Sequence, residues 1–198
     1  MIPATLFEEG RAASQGASAN LEFTGDNTVY YDGNYYSTLK EALDGVYMSK
    51  PQGVAELYCK QGADVGAMTH GHVADDIIIH GNGAYVSSGE RDLEVDTWKY
   101  NRESGKQDAN GAYLEKDITV DVRDLNGIAA WGERNTKYTV NLKFENCKNM
   151  QRVYFTNNGN KDGKINITLN NCSFDNSAEA LLKANAGTAV YSLSLIHI

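Results

Sequence analysis

The amino-acid sequence predicts an all-β protein, a parallel β-helix with one amphipathic helix capping its N-terminal end. Three observations carry that expectation. After Pro51 the pattern becomes short strand-like stretches punctuated by Gly, Asn and Asp. Three of these stretches superimpose, Val120-Asp-Val122-Arg-Asp124-Leu125, Leu142-Lys-Phe144-Glu-Asn146-Cys147 and Ile167-Thr-Leu169-Asn-Asn171-Cys172, at spacings of 22 and 25 residues. Of the 19 Asn residues, 13 lie from Asn126 onward, where stacked coils can align amides into hydrogen-bonded ladders. A strand repeat of this period points to a solenoid or a propeller, and a propeller blade needs about 40 residues and a Trp-Asp signature that is absent.

Composition bounds the class. The chain has 198 residues, a formal net charge of -8, 41% hydrophobic and 22% charged residues, which is too apolar for a disordered tail. Its 19 Gly carry no collagen period. No stretch approaches the ~20 apolar residues of a membrane span, and the acidic balance argues against a nucleic-acid partner. Residues 1–28 read as a leader or linker, with a low-complexity run from Ala12 to Ala19. Met1 to Glu9 lacks a basic segment followed by an apolar one, so any secretion signal is expected upstream. Residues 193–198, Leu-Ser-Leu-Ile-His-Ile, are encoded by CTGTCTCTTATACACATC, which resembles a transposase end. They are read as a sequencing-adapter scar, with further coils of the natural chain expected after Ser192.

Taken in order, the β-helix domain is expected over 29–192. Val29-Tyr30-Tyr31, Asp32-Gly33-Asn34 and Tyr35-Tyr36 read as strand, turn and strand, because Asp-Gly suits the positive φ of a tight hairpin. Thr38 and Glu41 form a capping box, and Leu39, Ala42, Leu43, Val46 and Tyr47 recur at helical spacing until Lys50-Pro51. A solenoid exposes an open core and strand edges at its first coil, so this helix is expected to cover that end. Strands follow at Ala55 to Lys60 and Asp76 to His80. Ile77 and Ile79 precede Val120 and Val122 by 43 residues, close to two periods, leaving room for one irregular coil between them. Val120, Leu142 and Ile167 are expected to stack inward, and Asp124, Asn146 and Asn171 to stack at a turn. Each unit then closes with further apolar positions: Ala129 and Trp131, Val153 and Phe155, Ala180 and Leu182.

The run Asn34-Tyr-Tyr-Ser-Thr-Leu-Lys-Glu-Ala-Leu43, followed by Asp76-Ile-Ile-Ile-His-Gly-Asn-Gly-Ala-Tyr85, resembles the start of pectin-lyase-like right-handed parallel β-helix proteins of bacterial cell surfaces. The runs from Glu145 to Met150 and from Ile165 to Phe174 are similar to their coils. The resemblance covers roughly Thr28 to Ser192. It implies a right-handed coil and a secreted or cell-surface location. The superfamily includes lyases, hydrolases, adhesins and proteins without activity, so it implies no single chemistry.

Glu90, Asp92, Glu94 and Asp96 alternate with Arg91, Leu93 and Val95, which in a strand places four carboxylates on one face; Trp98 and Tyr100 continue that parity. The strip is the candidate ligand-binding site (Asp92, Glu94, Asp96, Trp98, Tyr100). Carboxylate oxygens there suit Ca2+, and aromatic rings suit sugar faces. In pectate-lyase relatives Ca2+ neutralises a uronate and a nearby Arg or Lys takes a proton; Arg91, Arg102 and Arg123 are residues of that type. The alternative is a solvated strand face. His70-Gly71-His72 with His80 reads as a loop rather than a zinc site, since no further ligand stands at structural-site spacing. Asp75, Asp76, Asp117 and Asp121 supply carboxylates for a glycosidase pair without selecting one. Cys147 and Cys172 occupy equivalent ladder positions and read as buried small hydrophobes, because parallel side chains disfavour the disulfide torsion. The expectation is therefore a non-catalytic, adhesin-like module that binds polysaccharide or host-surface glycan. The rival is a polysaccharide lyase or glycoside hydrolase acting on acidic polysaccharide.

Overall fold

The computed structural model describes residues 21–68, 71–87, 89, 92–95, 100–101, 106–107, 116–133, 138–156, 164–175, 182–184 and 189–194. In chain order the elements are β1 (Val29–Tyr31), β2 (Asn34–Tyr36), α1 (Leu39–Ser49), β3 (Ala55–Cys59), β4 (Gly71–Val73), β5 (Ile77–His80), β6 (Asp92–Val95), β7 (Tyr100–Asn101), β8 (Lys106–Gln107), β9 (Ile118–Arg123), β10 (Ala129–Glu133), β11 (Thr139–Glu145), β12 (Val153–Thr156), β13 (Lys164–Asn170), β14 (Leu182–Ala184) and β15 (Ala189–Ser194). They form an eight-stranded sheet, β15-β13-β11-β9-β5-β3-β1-β2, and a five-stranded sheet, β14-β12-β10-β6-β4. From β3 onward the pairs in both sheets are parallel, and the chain alternates between sheets, one strand to each per coil. That alternation defines a β-solenoid.

Alternating apolar positions fill the space between the sheets. Val120, Leu142 and Ile167 pair in register as the repeat predicts, and each is fully buried. Each such residue contributes roughly 1.5–3 kcal/mol, enough for a ladder of them to offset the entropy of ordering a coil. At the turn leaving the large sheet, Asn82, Asp124, Asn146 and Asn171 adopt left-handed backbone with φ of 51°, 52°, 54° and 51°. Asn and Asp are the side chains that tolerate this conformation best, which explains the polar residue in each repeat. Stacking them adds a second gain: Asn171 Nδ2 donates to Asn146 Oδ1 at 2.6 Å and Asn82 Nδ2 donates to the Cys59 carbonyl at 2.9 Å. Leu125, Cys147 and Cys172 follow the turn and are buried, the cysteines as free thiols. Burial alone pushes the Cys59 thiol up to about 12.

The first hairpin and helix form as their local signals require. Asp32 and Gly33 both have positive φ, 46° and 82°, between the paired residues Tyr31 and Asn34. Thr38 Oγ1 accepts from Glu41 N at 3.2 Å, while the Glu41 carboxylate reaches back one residue further than a capping box predicts, to Ser37 N at 3.1 Å. The α1 face of Leu39, Ala42, Leu43, Val46 and Tyr47 is buried in the common core. Leu43 lies close to Gly71 of β4, the last strand of the small sheet. Among the described residues no helix is long and apolar enough to cross a membrane.

Four expectations change. β5 pairs directly with β9, Ile77 with Val120 and Ile79 with Val122, so the 43 residues form one long coil and not two. The chain spends that length on β6 and on a separate two-stranded hairpin, β7 with β8. In the small sheet Ala130, not Ala129 or Trp131, stacks with Val153 and Leu182, which turns Trp131 to the opposite face. The final alignment likewise shifts by two, from Ala180 and Leu182 to Leu182 and Ala184. Finally, β15 continues through Leu193 and Ser194, paired with Leu169 and Asn170, where no strand was expected past Ser192.

Candidate functional site

The acidic strip is only partly within the described residues: Glu90, Arg91, Asp96, Trp98 and Arg102 lie outside them, as does His70. Tyr100 lies in the β7 hairpin. Asp92 is half-buried and grips Arg152 bidentately, with N–O distances of 3.1 and 2.5 Å. The pair spans the small Ala129, which stands beside Asp92 on the intervening strand. Glu94 does not project outward with Asp92. It is 3% exposed, flanked by buried Leu93 and Val95, with its carboxylate 3.7 Å from His72 Nδ1. Alternation predicts which sheet face a side chain joins, but not whether that face is covered, and both His72 and Glu94 are buried on theirs. Among the described residues no group of three or more His, Cys, Asp or Glu is placed to hold a metal ion.

The other candidate acids serve the coils. Asp76 Oδ1 accepts from Thr119 N and Asp117 Oδ1 from Thr139 N, each at 2.7 Å, so both tie one coil to the next. Asp121 holds Arg123 through two bonds, 3.1 and 2.7 Å. Asp75 is buried 3.7 Å from Lys116 Nζ.

A different constellation emerges on the outward face of the large sheet. Tyr35 of β2, Tyr30 of β1, Tyr58 of β3, His80 of β5 and Arg123 of β9 are successive register partners, one per strand. They lie on the sheet face away from the core, since their neighbours Val29, Leu57 and Ile79 are fully buried, although His80 is itself covered there. Tyr30 meets Tyr35 edge-on at a centroid distance of 5.0 Å and Tyr58 tilted at 6.4 Å. Tyr58 stacks on His80 at 4.5 Å and 11°. Phe23 extends the row by packing edge-on to Tyr35 at 5.5 Å. Cross-strand aromatic pairs contribute roughly 0.2–1 kcal/mol each, so the row also fastens the hairpin to the first parallel coil.

Glu56 stands beside this row. Its Oε2 accepts from Tyr58 Oη at 2.7 Å and lies 3.1 Å from His80 Nε2. His80 Nε2 therefore donates to the carboxylate, and buried Nδ1 has no hydrogen-bond partner among the described residues. The Tyr58 hydrogen bond, then that from His80, lowers the Glu56 pKa. Burial, then the bond to Glu56, pushes the Tyr58 phenol up to about 12. A raised pKa adds stability below the phenol's ordinary value of about 10, and that increment is lost as pH rises through about 12. Tyr58→Phe should accordingly remove a phenolate absorbance step centred near pH 12; loss of a step near the ordinary value of about 10 would contradict the Tyr58–Glu56 bond.

The row escapes sequence reading because β1 and β3 are antiparallel and non-local. The alternation around Tyr58 and His80 marks each as outward, yet only the register makes them neighbours. Comparison with protein-family models, curated proteins and solved structures finds no match for this chain.

Proposed function

We propose that this chain is a non-catalytic β-helix module, secreted or displayed on a cell surface, that binds glycans or host ligands through its outward sheet face. The observation supporting this reading is the register-locked aromatic row with Glu56 at its side. Tyr ring edges and hydroxyls beside a fixed carboxylate match the mixed apolar and hydroxyl character of a sugar. In the same reading the coil is right-handed, as in the pectin-lyase-like proteins it resembles, and α1 with the β1–β2 hairpin caps the first coil. The acids best suited to hydrolysis or elimination are tied into ion pairs and inter-coil bonds, which favours binding over turnover.

A glycan panel tests it. Binding by the wild type should weaken about threefold to tenfold in Tyr35→Ala, a side chain exposed enough to be removed without opening the core. Cleavage of any bound polysaccharide, or no binding across the panel, would overturn the proposal.

A further inference from the structure

The chemistry around Glu56 narrows the ligand class. Both hydrogen bonds to this carboxylate converge on Oε2, and Oε1 bonds to no described residue. The side chain is nonetheless 48% exposed, so the carboxylate is open to solvent and Oε1 is its uncommitted oxygen. One oxygen clamped by two donors fixes the orientation of the other. A fixed, charged acceptor loses little freedom when it takes a hydroxyl proton, and hydrogen bonds to a charged group are the stronger kind.

Charge then discriminates between saccharides. The row holding Glu56 continues through Ile78 and Asp121 to Lys143, and the row holding His80 continues through Arg123 to Glu145. Carboxylates outnumber cations there, and the cation nearest the aromatic row, Arg123, is already held bidentately by Asp121. Arg123 and His80 lend Glu56 some positive field, but the Arg123 guanidinium is already taken by Asp121. A uronate brought to this place would meet the Glu56 carboxylate at short range with only that partial compensation.

We infer that Glu56 Oε1 is the polar anchor of a site for uncharged saccharide, accepting a sugar hydroxyl while Tyr30, Tyr35 and Tyr58 contact the ring carbons. This rests on the glycan-binding proposal and runs against an acidic polysaccharide as ligand.

Native gels containing hydroxyethyl cellulose, mannan, a β-1,3-glucan or polygalacturonate test it with the intact chain. Wild type should be retarded in at least one neutral gel and not by polygalacturonate. Glu56→Gln keeps the shape and removes the charge, and should weaken neutral retardation about tenfold or more. Asp121→Asn releases Arg123 and should introduce retardation by polygalacturonate, a gain that misfolding cannot mimic. Unchanged thermal unfolding of Glu56→Gln separates loss of binding from loss of fold. Retardation of wild type by polygalacturonate as strong as by any neutral polymer overturns the inference. Full neutral retardation of Glu56→Gln, with loss in Tyr35→Ala, overturns the anchor and leaves glycan binding standing. No retardation in any gel removes both.

Discussion

Phe144→Ala is expected to destabilise the solenoid by about 3–5 kcal/mol, the usual range for emptying a large aromatic site in a core. Phe144 is 1% exposed and pairs in register with Val122 on one side and Leu169 on the other. The cavity cannot readily collapse, because both flanking coils are fixed by backbone bonds. Asp124 N donates to the Glu145 carbonyl and Asn146 N to the Asn170 carbonyl, each at 2.9 Å. Lys143→Ala, one residue away and exposed, should change stability by no more than about 0.5 kcal/mol. Urea unfolding midpoints of the two variants check this, and matching midpoints would mean that the β11 side chains are not sorted into core and solvent as described. Because each coil meets only its neighbours, the loss should also appear locally. Amides of β11 and β13 should gain more hydrogen exchange than those of β3.

Why the repeat was legible in the sequence is visible at Asp124, Asn146 and Asn171. Each must adopt a left-handed backbone, and Asn146 and Asn171 also bond to one another along the ladder, so few side chains serve and the position announces itself. The inward ladder of Val120, Leu142 and Ile167 was readable for a similar reason, since a one-residue slip would place the whole set in water. The small sheet was harder. Around Ala129, Ala130 and Trp131 two small residues precede a large one, and size does not tell which of them faces the core. The β5-to-β9 coil defeated simple arithmetic, because a β-helix tolerates a long excursion wherever the strands on either side keep their register.

The candidate site was less legible, for a geometric reason. A strip such as Asp92 to Asp96 is contiguous in the chain and therefore conspicuous, yet Asp92 answers to Arg152, which is 60 positions away, and Glu94 is buried against His72. The aromatic row has the opposite character. Its members are scattered from Tyr30 to Arg123 and become a unit only across strands, at right angles to the chain. In a solenoid the functional alphabet is written between coils, whereas the sequence is written along them. Tyr58 and His80 stand 22 residues apart, the spacing of Val120 and Leu142, so the later repeat reaches that step; what it does not reach is the antiparallel hairpin that brings Tyr30 and Tyr35 into the row.

Gly81→Ala should couple the fold to that row. In the later coils the last strand residue passes directly into the left-handed turn, as Arg123 into Asp124 and Glu145 into Asn146. After His80 one extra residue intervenes, and it is Gly81. A Cβ there would lie 2.5 Å from the Asp124 carbonyl oxygen and 2.7 Å from that of Arg123, both backbone atoms that cannot swing aside. Those carbonyls are the ones that accept from Gly83 N at 2.8 Å and Gly81 N at 2.7 Å, so relieving the clash breaks the bonds joining β5 to β9 at this end. Overpacking together with loss of one or two such bonds gives an expected cost of about 2–4 kcal/mol. Gly53→Ala, with open space around its Cβ, should be close to neutral. The displaced segment carries His80, whose ring bridges Tyr58 and Glu56, so at temperatures where the variant remains folded the high Tyr58 titration should move toward ordinary phenol values. A Gly81→Ala protein with wild-type stability would mean that β5 and β9 are not in the close register that brings His80 beside Arg123, and the row would lose its continuity at that step.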